Sequence, residues 1–413
     1  MNCEKNFWGK ENPEQLLQKY GSPLYVYNES ILKERCLEMK HLVEYDKFIL
    51  DYSMKANSNP AILKLLRKEG AEVDAMSPGE IYIAMAAGFR AEEIFYICNN
   101  VSEEEMMYAI RRGIRSSVDS LAQLDQYGQL APGSGVAIRV NPGIGAGHHE
   151  KVITAGKSTK FGISTDKLEE IRKICRKHRL KVVGINQHIG SLFLESSAYL
   201  QSIDELFKFA VHFPDLDFID LGGGFGVPYH EKAGEKRLPL KELGRELTKQ
   251  IEAFHQLYGR EISFRIEPGR YIAAECGRLL GTVHAVKENH AKYIGTDLGF
   301  HALIRPILYD SYHEIEVYRD GALVSEDAGE ETVTVVGNIC ESGDILAKDR
   351  ALPPICKGDI LAVKNAGAYG HVMSSNYNSR LRPAEVLITA SGTAKLIRRR
   401  DSYEDLVANY IMD

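Results

Sequence analysis

The sequence is poor in the features that would place it in a specialised class. Its seven cysteines (3, 36, 98, 175, 276, 340 and 356) are odd in number, scattered, and never spaced Cys-x-x-Cys. That argues against a disulfide framework or a structural zinc site and for a reducing compartment. No apolar run reaches the ~18–20 residues that cross a bilayer, so no membrane association is expected. The opening MNCEKNFWGKENPEQ lacks the apolar stretch of a secretory signal, which predicts a cytoplasmic location. Cations are not gathered into a stripe: 51 basic and 57 acidic side chains are mixed along the chain, with a formal net charge of −6. Nucleic acid is therefore not an expected partner. Low-complexity linkers, internal repeats and a His-Glu-x-x-His pattern are also missing, and there is a single Trp. What is present is an ordinary globular composition, 44% hydrophobic and 26% charged over 413 residues. At ~150 residues per domain this suggests two domains.

From about residue 46 to 270, short apolar runs alternate with amphipathic stretches. The strand-like runs are 48–53, 71–75, 94–98, 114–118, 136–141, 182–188, 218–221 and 264–267. Helix-like segments 59–68, 78–87, 103–112, 120–127, 165–178, 197–212 and 239–258 lie between them, the first two and the last with Pro near the start. Eight strands separated by helices predict an α/β fold, a (β/α)8 barrel, in preference to a doubly wound open sheet. After residue 278 the pattern changes to strand-like runs at 281–288, 293–297, 314–319, 332–337, 359–364 and 384–389. These, with an N-terminal run at 23–27, predict a second, mostly β domain. The expected division is a barrel over 28–277 and a β-rich domain from 1–27 and 278–413. The Arg398–Arg400 run reads as a solvated face.

Barrel chemistry sits on the loops at the C-terminal strand ends. The first strand ends in Ser53-Met-Lys-Ala-Asn57, which puts Lys55 on the rim among apolar neighbours. Most lysines are merely solvated, but one desolvated at a strand end is able to form a Schiff base. The sixth strand ends at His188-Ile-Gly-Ser191, where an imidazole packed against a planar ligand competes with a simple core histidine. Gly222-Gly-Gly-Phe-Gly226 follows the seventh strand and Glu267-Pro-Gly-Arg270 the eighth, the usual phosphate position of such barrels. Bare backbone N–H groups suit a phosphate. A lysine, an anion hole, a stacking imidazole and a carboxylate on one rim together point to pyridoxal 5′-phosphate. A metal is not expected: His148-His149-Glu150 is the nearest cluster, and adjacent strand residues point opposite ways.

These and further motifs resemble a known family. Tyr52-Ser-Met-Lys-Ala-Asn57, Asn141-Pro-Gly, Gly147-His-His-Glu150, Lys160-Phe-Gly162, His188-Ile-Gly-Ser191 and Gly222-Gly-Gly-Phe-Gly226 occur in order. They are followed by Glu267-Pro-Gly-Arg270, Arg305-Pro-Ile-Leu-Tyr309, Cys340-Glu-Ser-Gly-Asp344 and Ala368-Tyr369. The chain thus resembles, along essentially its whole length, the diaminopimelate decarboxylases of the alanine-racemase-like (fold type III) group of pyridoxal-phosphate enzymes. The resemblance implies that Lys55 carries the cofactor's aldehyde and that His188 stacks on its ring. It implies that Ser191, Gly223, Gly224, Gly269 and Arg270 border the phosphate, and that Glu267 partners the ring nitrogen. For the substrate it implies Arg270, Arg305 and Tyr309 as ligands of the far carboxylate and Glu341 as acceptor for the distal ammonium. Cys340 is implied as proton donor and Tyr369 as a contact of cofactor and substrate. In relatives the Cys-Glu segment enters from the partner subunit, so a homodimer with a shared active site is expected.

Such residues make physical sense for an amino acid bearing a second amino-acid head: arginines clamp its carboxylate and one Glu meets its ammonium. The activity implied is decarboxylation of meso-2,6-diaminopimelate at its D-centre to L-lysine and CO2. A thiol is an acid suited to protonating the product carbon near neutral pH. A same-fold decarboxylase of ornithine, lysine, arginine, carboxynorspermidine or a carrier-bound amino acid would share Lys55, His188 and Glu267. Arg305, Tyr309 and Glu341 favour diaminopimelate over these. A racemase fits the motifs after residue 300 less well, and a non-catalytic binding protein would be expected to have lost Lys55 or Cys340.

Overall fold

A computed structural model describes residues 6–144 and 160–411. His148, His149 and Glu150, and the stretch 155–159, lie outside the described residues. The chain forms two compact units, one from Arg35–Val227 and Lys236–Ile272, the other from Met1–Glu34, Pro228–Glu235 and Ala273–Asp413.

The first unit is the (β/α)8 barrel that the alternation predicted. Its strands are β1 (Phe48–Ser53), β2 (Glu72–Ala75), β3 (Ile94–Ile97), β4 (Arg115–Val118), β5 (Gly135–Asn141), β6 (Lys181–Asn186), β7 (Phe218–Gly223) and β8 (Ser263–Glu267). Each pairs in parallel with the next, and β8 returns to β1 through Phe264 opposite Phe48 and Ile266 opposite Leu50. The sequence starts several helices sharply: Asn59 and Ser77 accept backbone N–H groups ahead of Pro60 and Pro78, and Ser102 forms a capping box with Glu105. Inside the barrel Phe95, Ile97, Ala137 and Phe218 form one apolar layer. Gly184 makes room for it, because a Cβ there would lie 2.2 Å from the Phe218 ring. Nearer the strand starts, Arg265 donates to both oxygens of Asp51 at 2.8 and 2.9 Å and to Glu72 at 2.7 Å.

Two strand ends differ from the sequence reading in a way that matters. β6 stops at Asn186 rather than at 188, so His188 lies on a loop. β7 runs two residues further than expected, into the glycine run.

The second unit is a ten-stranded sheet. Its path runs Ala322–Leu323, Ile315–Arg319, Ile360–Val363, Gly277–Glu288, Leu24–Asn28, Ala384–Ile388 and Ala394–Arg398. The outer half of Gly277–Glu288 also pairs with Lys292–Thr296, which continues through Glu331–Val336 to Ile345–Leu352. The N-terminal strand is central, parallel to Ala384–Ile388 and antiparallel to Gly277–Leu280. Three strands of this sheet escaped the sequence reading, the two-residue Ala322–Leu323 and two longer ones. Ile345–Leu352 has a charged middle, Lys348-Asp349-Arg350, and Ala394–Arg398 is half exposed, so neither shows an apolar run. The Arg398–Arg400 run is a solvated face at Arg399, which is exposed, but not at the part-buried Arg398 and Arg400, which corrects the expectation for those two. Arg398 pairs with Asp401, Arg399 binds Asp405 through two nitrogens, and Arg400 donates to the Pro23 carbonyl.

Candidate functional site

On the barrel unit, the strand ends bring together the rim residues that the sequence singled out. Lys55 sits in a single helical turn, Met54–Ala56, directly after β1. Its Nζ is 3.8 Å from Asp74 Oδ2 at the end of β2, and a third of its side chain is accessible. The turn is pinned beneath: Ser53 N–H donates to the Pro268 carbonyl, and Ser53 Oγ lies 3.1 Å from Asp74 and 3.0 Å from the Glu267 carbonyl. Gly269 is small for the same reason, since a Cβ there would fall 2.8 Å from the Ser53 Cβ.

Glu267 ends β8 and is 2% exposed. Burial pushes its carboxyl up, but the polar groups around it, with the Lys55 cation, outweigh that and hold it below its ordinary range. Asp220, on β7 with no exposure, goes the other way: burial and the nearby Glu267 push it well up. Asp220 accepts the Gly222 N–H at 2.9 Å through Oδ1, whereas its Oδ2 and Glu267 Oε1 are both buried without a donor. Two neighbouring buried carboxyls are not both kept charged, and their opposite shifts put the proton on Asp220 and the charge on Glu267.

His188 follows β6. Its Nδ1 accepts the Gly223 N–H at 3.2 Å and stands 3.6 Å from Glu267 Oε2. Burial pushes its pKa down to about 4, so the ring is neutral, with its proton on Nε2. The glycines after β7 are required by close approach: a Cβ on Gly223 would lie 2.0 Å from the Glu267 carbonyl oxygen. One on Gly224, which also has φ +104, would lie 2.4 Å from that of Gly190. The sequence reading credited these glycines to phosphate binding alone, and the packing gives a second reason for them. Arg270 opens a short helix after β8, is buried, and donates from Nη2 to Ser191 Oγ at 2.9 Å.

These residues fit pyridoxal phosphate. An ionised, deeply buried carboxylate with an oxygen lacking a donor suits a protonated ring nitrogen. A flat neutral imidazole, an amine on an apolar turn, and an arginine–serine pair beside bare glycines supply the rest. Asp74, Asp220 and Arg139 were missed by sequence reasoning. All three are buried and charge the same strand ends, Arg139 from β5. Their signal was a lone charge inside an apolar strand, as in Glu72-Val-Asp-Ala75 and Phe218-Ile-Asp-Leu221.

The remaining sequence-chosen residues belong to the sheet unit. Arg305 begins a five-residue helix that ends at Tyr309, and it is 1% exposed. Its Nη1 lies 3.0 Å from His313 Nε2, its Nη2 donates to Ser311 Oγ at 3.3 Å, and its guanidinium covers the Tyr229 ring at 4.7 Å. Cys340 and Glu341 stand exposed on one tight loop. Buried Asp344 closes that loop by accepting the N–H groups of Phe300 and Ile339, both at 2.8 Å. Cys340 N–H donates to Asn378 Oδ1 at 3.0 Å, and Tyr377 donates its hydroxyl to Glu341 Oε1 at 2.5 Å. Tyr369 is half-buried with a left-handed backbone, φ 56. Among the described residues no group of three or more His, Cys, Asp or Glu is arranged to hold a metal, and no helix is long and apolar enough to cross a membrane.

Comparison with known proteins adds to this geometry. The family model described as "Pyridoxal-dependent decarboxylase, pyridoxal binding domain" matches residues 29–274. A diaminopimelate decarboxylase of Methanothermobacter thermautotrophicus is 41% identical over 97% of this chain and 94% of its own length. The crystal structure of diaminopimelate decarboxylase from Helicobacter pylori complexed with L-lysine is similar with a TM-score of 0.87. It is 31% identical, over 96% of this chain and 98% of that one. A Methanocaldococcus jannaschii diaminopimelate decarboxylase in complex with L-lysine is similar with a TM-score of 0.86 and 32% identity, over 96% and 94%.

Proposed function

The chain belongs to the diaminopimelate decarboxylase family of pyridoxal-dependent decarboxylases, and we propose that it converts meso-2,6-diaminopimelate to L-lysine and CO2 by decarboxylation at the D-centre. Pyridoxal chemistry rests on Lys55 and a buried, anionic Glu267 at the ends of neighbouring barrel strands, and the choice of diaminopimelate rests on the buried Arg305, with Tyr309 and Glu341. Pyridoxal phosphate, when bound, supplies the electron sink for the pair left when the carboxylate departs.

The chain's own residues do the rest. Lys55 holds the cofactor through its amine, with the buried Asp74 carboxyl, pushed well up by burial, 3.8 Å away. Glu267, kept ionised by a proton-bearing Asp220, retains the proton on the ring nitrogen. Neutral His188 offers a flat face, and Ser191, Gly223, Gly224, Gly269 and Arg270 hold the phosphate. Arg270, Arg305 and Tyr309 take the substrate's distal carboxylate, Glu341 its ammonium, and Tyr369 contacts both cofactor and substrate. Cys340 delivers the proton to the carbon that has lost CO2. A substrate without the distal carboxylate gives Arg270, Arg305 and Tyr309 nothing to bind there, which disfavours lysine or ornithine. The catalytic unit is a homodimer in which the Cys340–Glu341 loop serves the partner subunit's site. The rigid, exposed presentation of that loop supports this reading.

The test is CO2 release from meso-diaminopimelate, L-lysine, L-ornithine and L-arginine by cofactor-loaded enzyme. Release from diaminopimelate alone is the expected result. Equal or greater release from any of the others refutes the substrate assignment.

A further inference from the structure

Arg305 is a buried cation whose partner among the sheet-unit side chains is itself unusual. Arginine has only N–H donors, so His313 Nε2, 3.0 Å from Arg305 Nη1, must carry a lone pair. The other ring nitrogen, Nδ1, lies 2.8 Å from the Lys364 carbonyl oxygen, an acceptor, and must carry the proton. The imidazole is thereby fixed as one neutral tautomer, 3% exposed. The segment carrying it is braced on both sides. Its backbone carbonyl accepts from Arg350 Nη2 at 2.6 Å, and the neighbouring Tyr312 ring is sandwiched between His230 at 3.6 Å and the Arg350 guanidinium at 3.5 Å. With Ser311 on Nη2 and Tyr229 beneath its face, the Arg305 guanidinium is held in one plane.

A carboxylate at position 313 would hold the guanidinium as well or better, but it would also neutralise it. A neutral acceptor at 313 orients the fork without itself neutralising it. We infer that His313 is a positioning residue for carboxylate recognition, holding Arg305 in its clamping orientation through a charge-free hydrogen bond. This rests on Arg305 being the substrate's carboxylate ligand.

The experiment compares His313→Gln, His313→Glu and His313→Leu as holoenzymes, measuring L-lysine binding by calorimetry and KM and kcat on meso-diaminopimelate. Gln and Glu share a shape and differ in charge. Gln is expected to stay within about threefold of the natural protein, while Glu and Leu weaken L-lysine and raise KM by roughly ten- to a hundredfold. kcat is expected to fall less than KM rises, and affinity for cadaverine, which has no carboxylate, to be unchanged. If the Glu variant binds L-lysine as tightly as the Gln variant, or if cadaverine weakens in parallel, the inference is overturned. Should the Leu variant fail to fold, the Gln–Glu pair alone decides. Arg305→Ala separates the two readings. If it leaves L-lysine binding intact, the clamp assignment has failed; if it weakens binding while the Glu variant does not, only the role of His313 has failed.

Discussion

Glu267 must stay ionised in a place where burial opposes charge, and the residues around it show how that is arranged. Asp220 surrenders its own ionisation and leaves the negative charge on its neighbour. Asparagine at 220 keeps both the donor and an acceptor for the Gly222 N–H, so Asp220→Asn is expected to bind cofactor almost normally. Asp220→Leu removes the donor and is expected to weaken cofactor binding roughly tenfold in an absorbance titration. If the Asn variant is as damaged as the Leu variant, the proton is not on Asp220. Lys55→Ala is expected to abolish the absorbance band of covalently held cofactor and its fixation by borohydride, while leaving thermal stability close to that of the natural protein.

At the scale of elements, function depends on where strands stop. β6 ending at Asn186 frees His188 to turn toward the Gly223 N–H, and β7 running to Gly223 presses that glycine onto the end of β8. Gly223→Ala places a methyl 2.0 Å from the Glu267 carbonyl oxygen, so the backbone must move. The expected cost is about 1–3 kcal/mol, visible as a lowered thermal midpoint together with weaker cofactor binding. Strand existence was legible because alternation of apolar runs with amphipathic helices is a long-range pattern that local noise does not erase. Strand ends were not, because the polar Asn186-Gln187-His188 carries no local signal of where pairing stops, and only tertiary packing sets it. Lys55, His188, Glu267 and Arg270 were readable because barrel chemistry falls at strand ends. Asp220, Asp74 and His313 were not, because their importance lies in which neighbour they touch. The edge strands Ile345–Leu352 and Ala394–Arg398 were invisible for a related reason: half-exposed strands need no apolar run.

At the scale of the whole molecule, several histidines are buried without charge. Burial pushes His301 and His188 down to about 4 and His371 to about 3, below the ordinary 6.5. Between those values and 6.5 the unfolded chain takes up protons that the folded chain refuses, so acid favours unfolding across that window. His371→Asn is expected to flatten the loss of stability between pH 6.5 and about 3, read by denaturant titration at several pH values. A slope identical to that of the natural protein would show that His371 is charged in the fold. A shared active site makes a further prediction. Mixing the inactive variants Lys55→Ala and Cys340→Ala is expected to restore activity that neither has alone, through heterodimers with one intact site. No restoration after verified subunit exchange would place Cys340 in the same protomer's site.

Residues Pro228–Glu235 interrupt the stretch of chain that builds the barrel, and they carry Tyr229 and His230, the aromatic supports of Arg305 and Tyr312. The polypeptide therefore crosses between the two units four times. No single cut in the gene yields two complete modules. Any chimera that exchanges the sheet unit between homologues must also transplant this eight-residue insert, or the incoming Arg305 will rest on the recipient's aromatic floor.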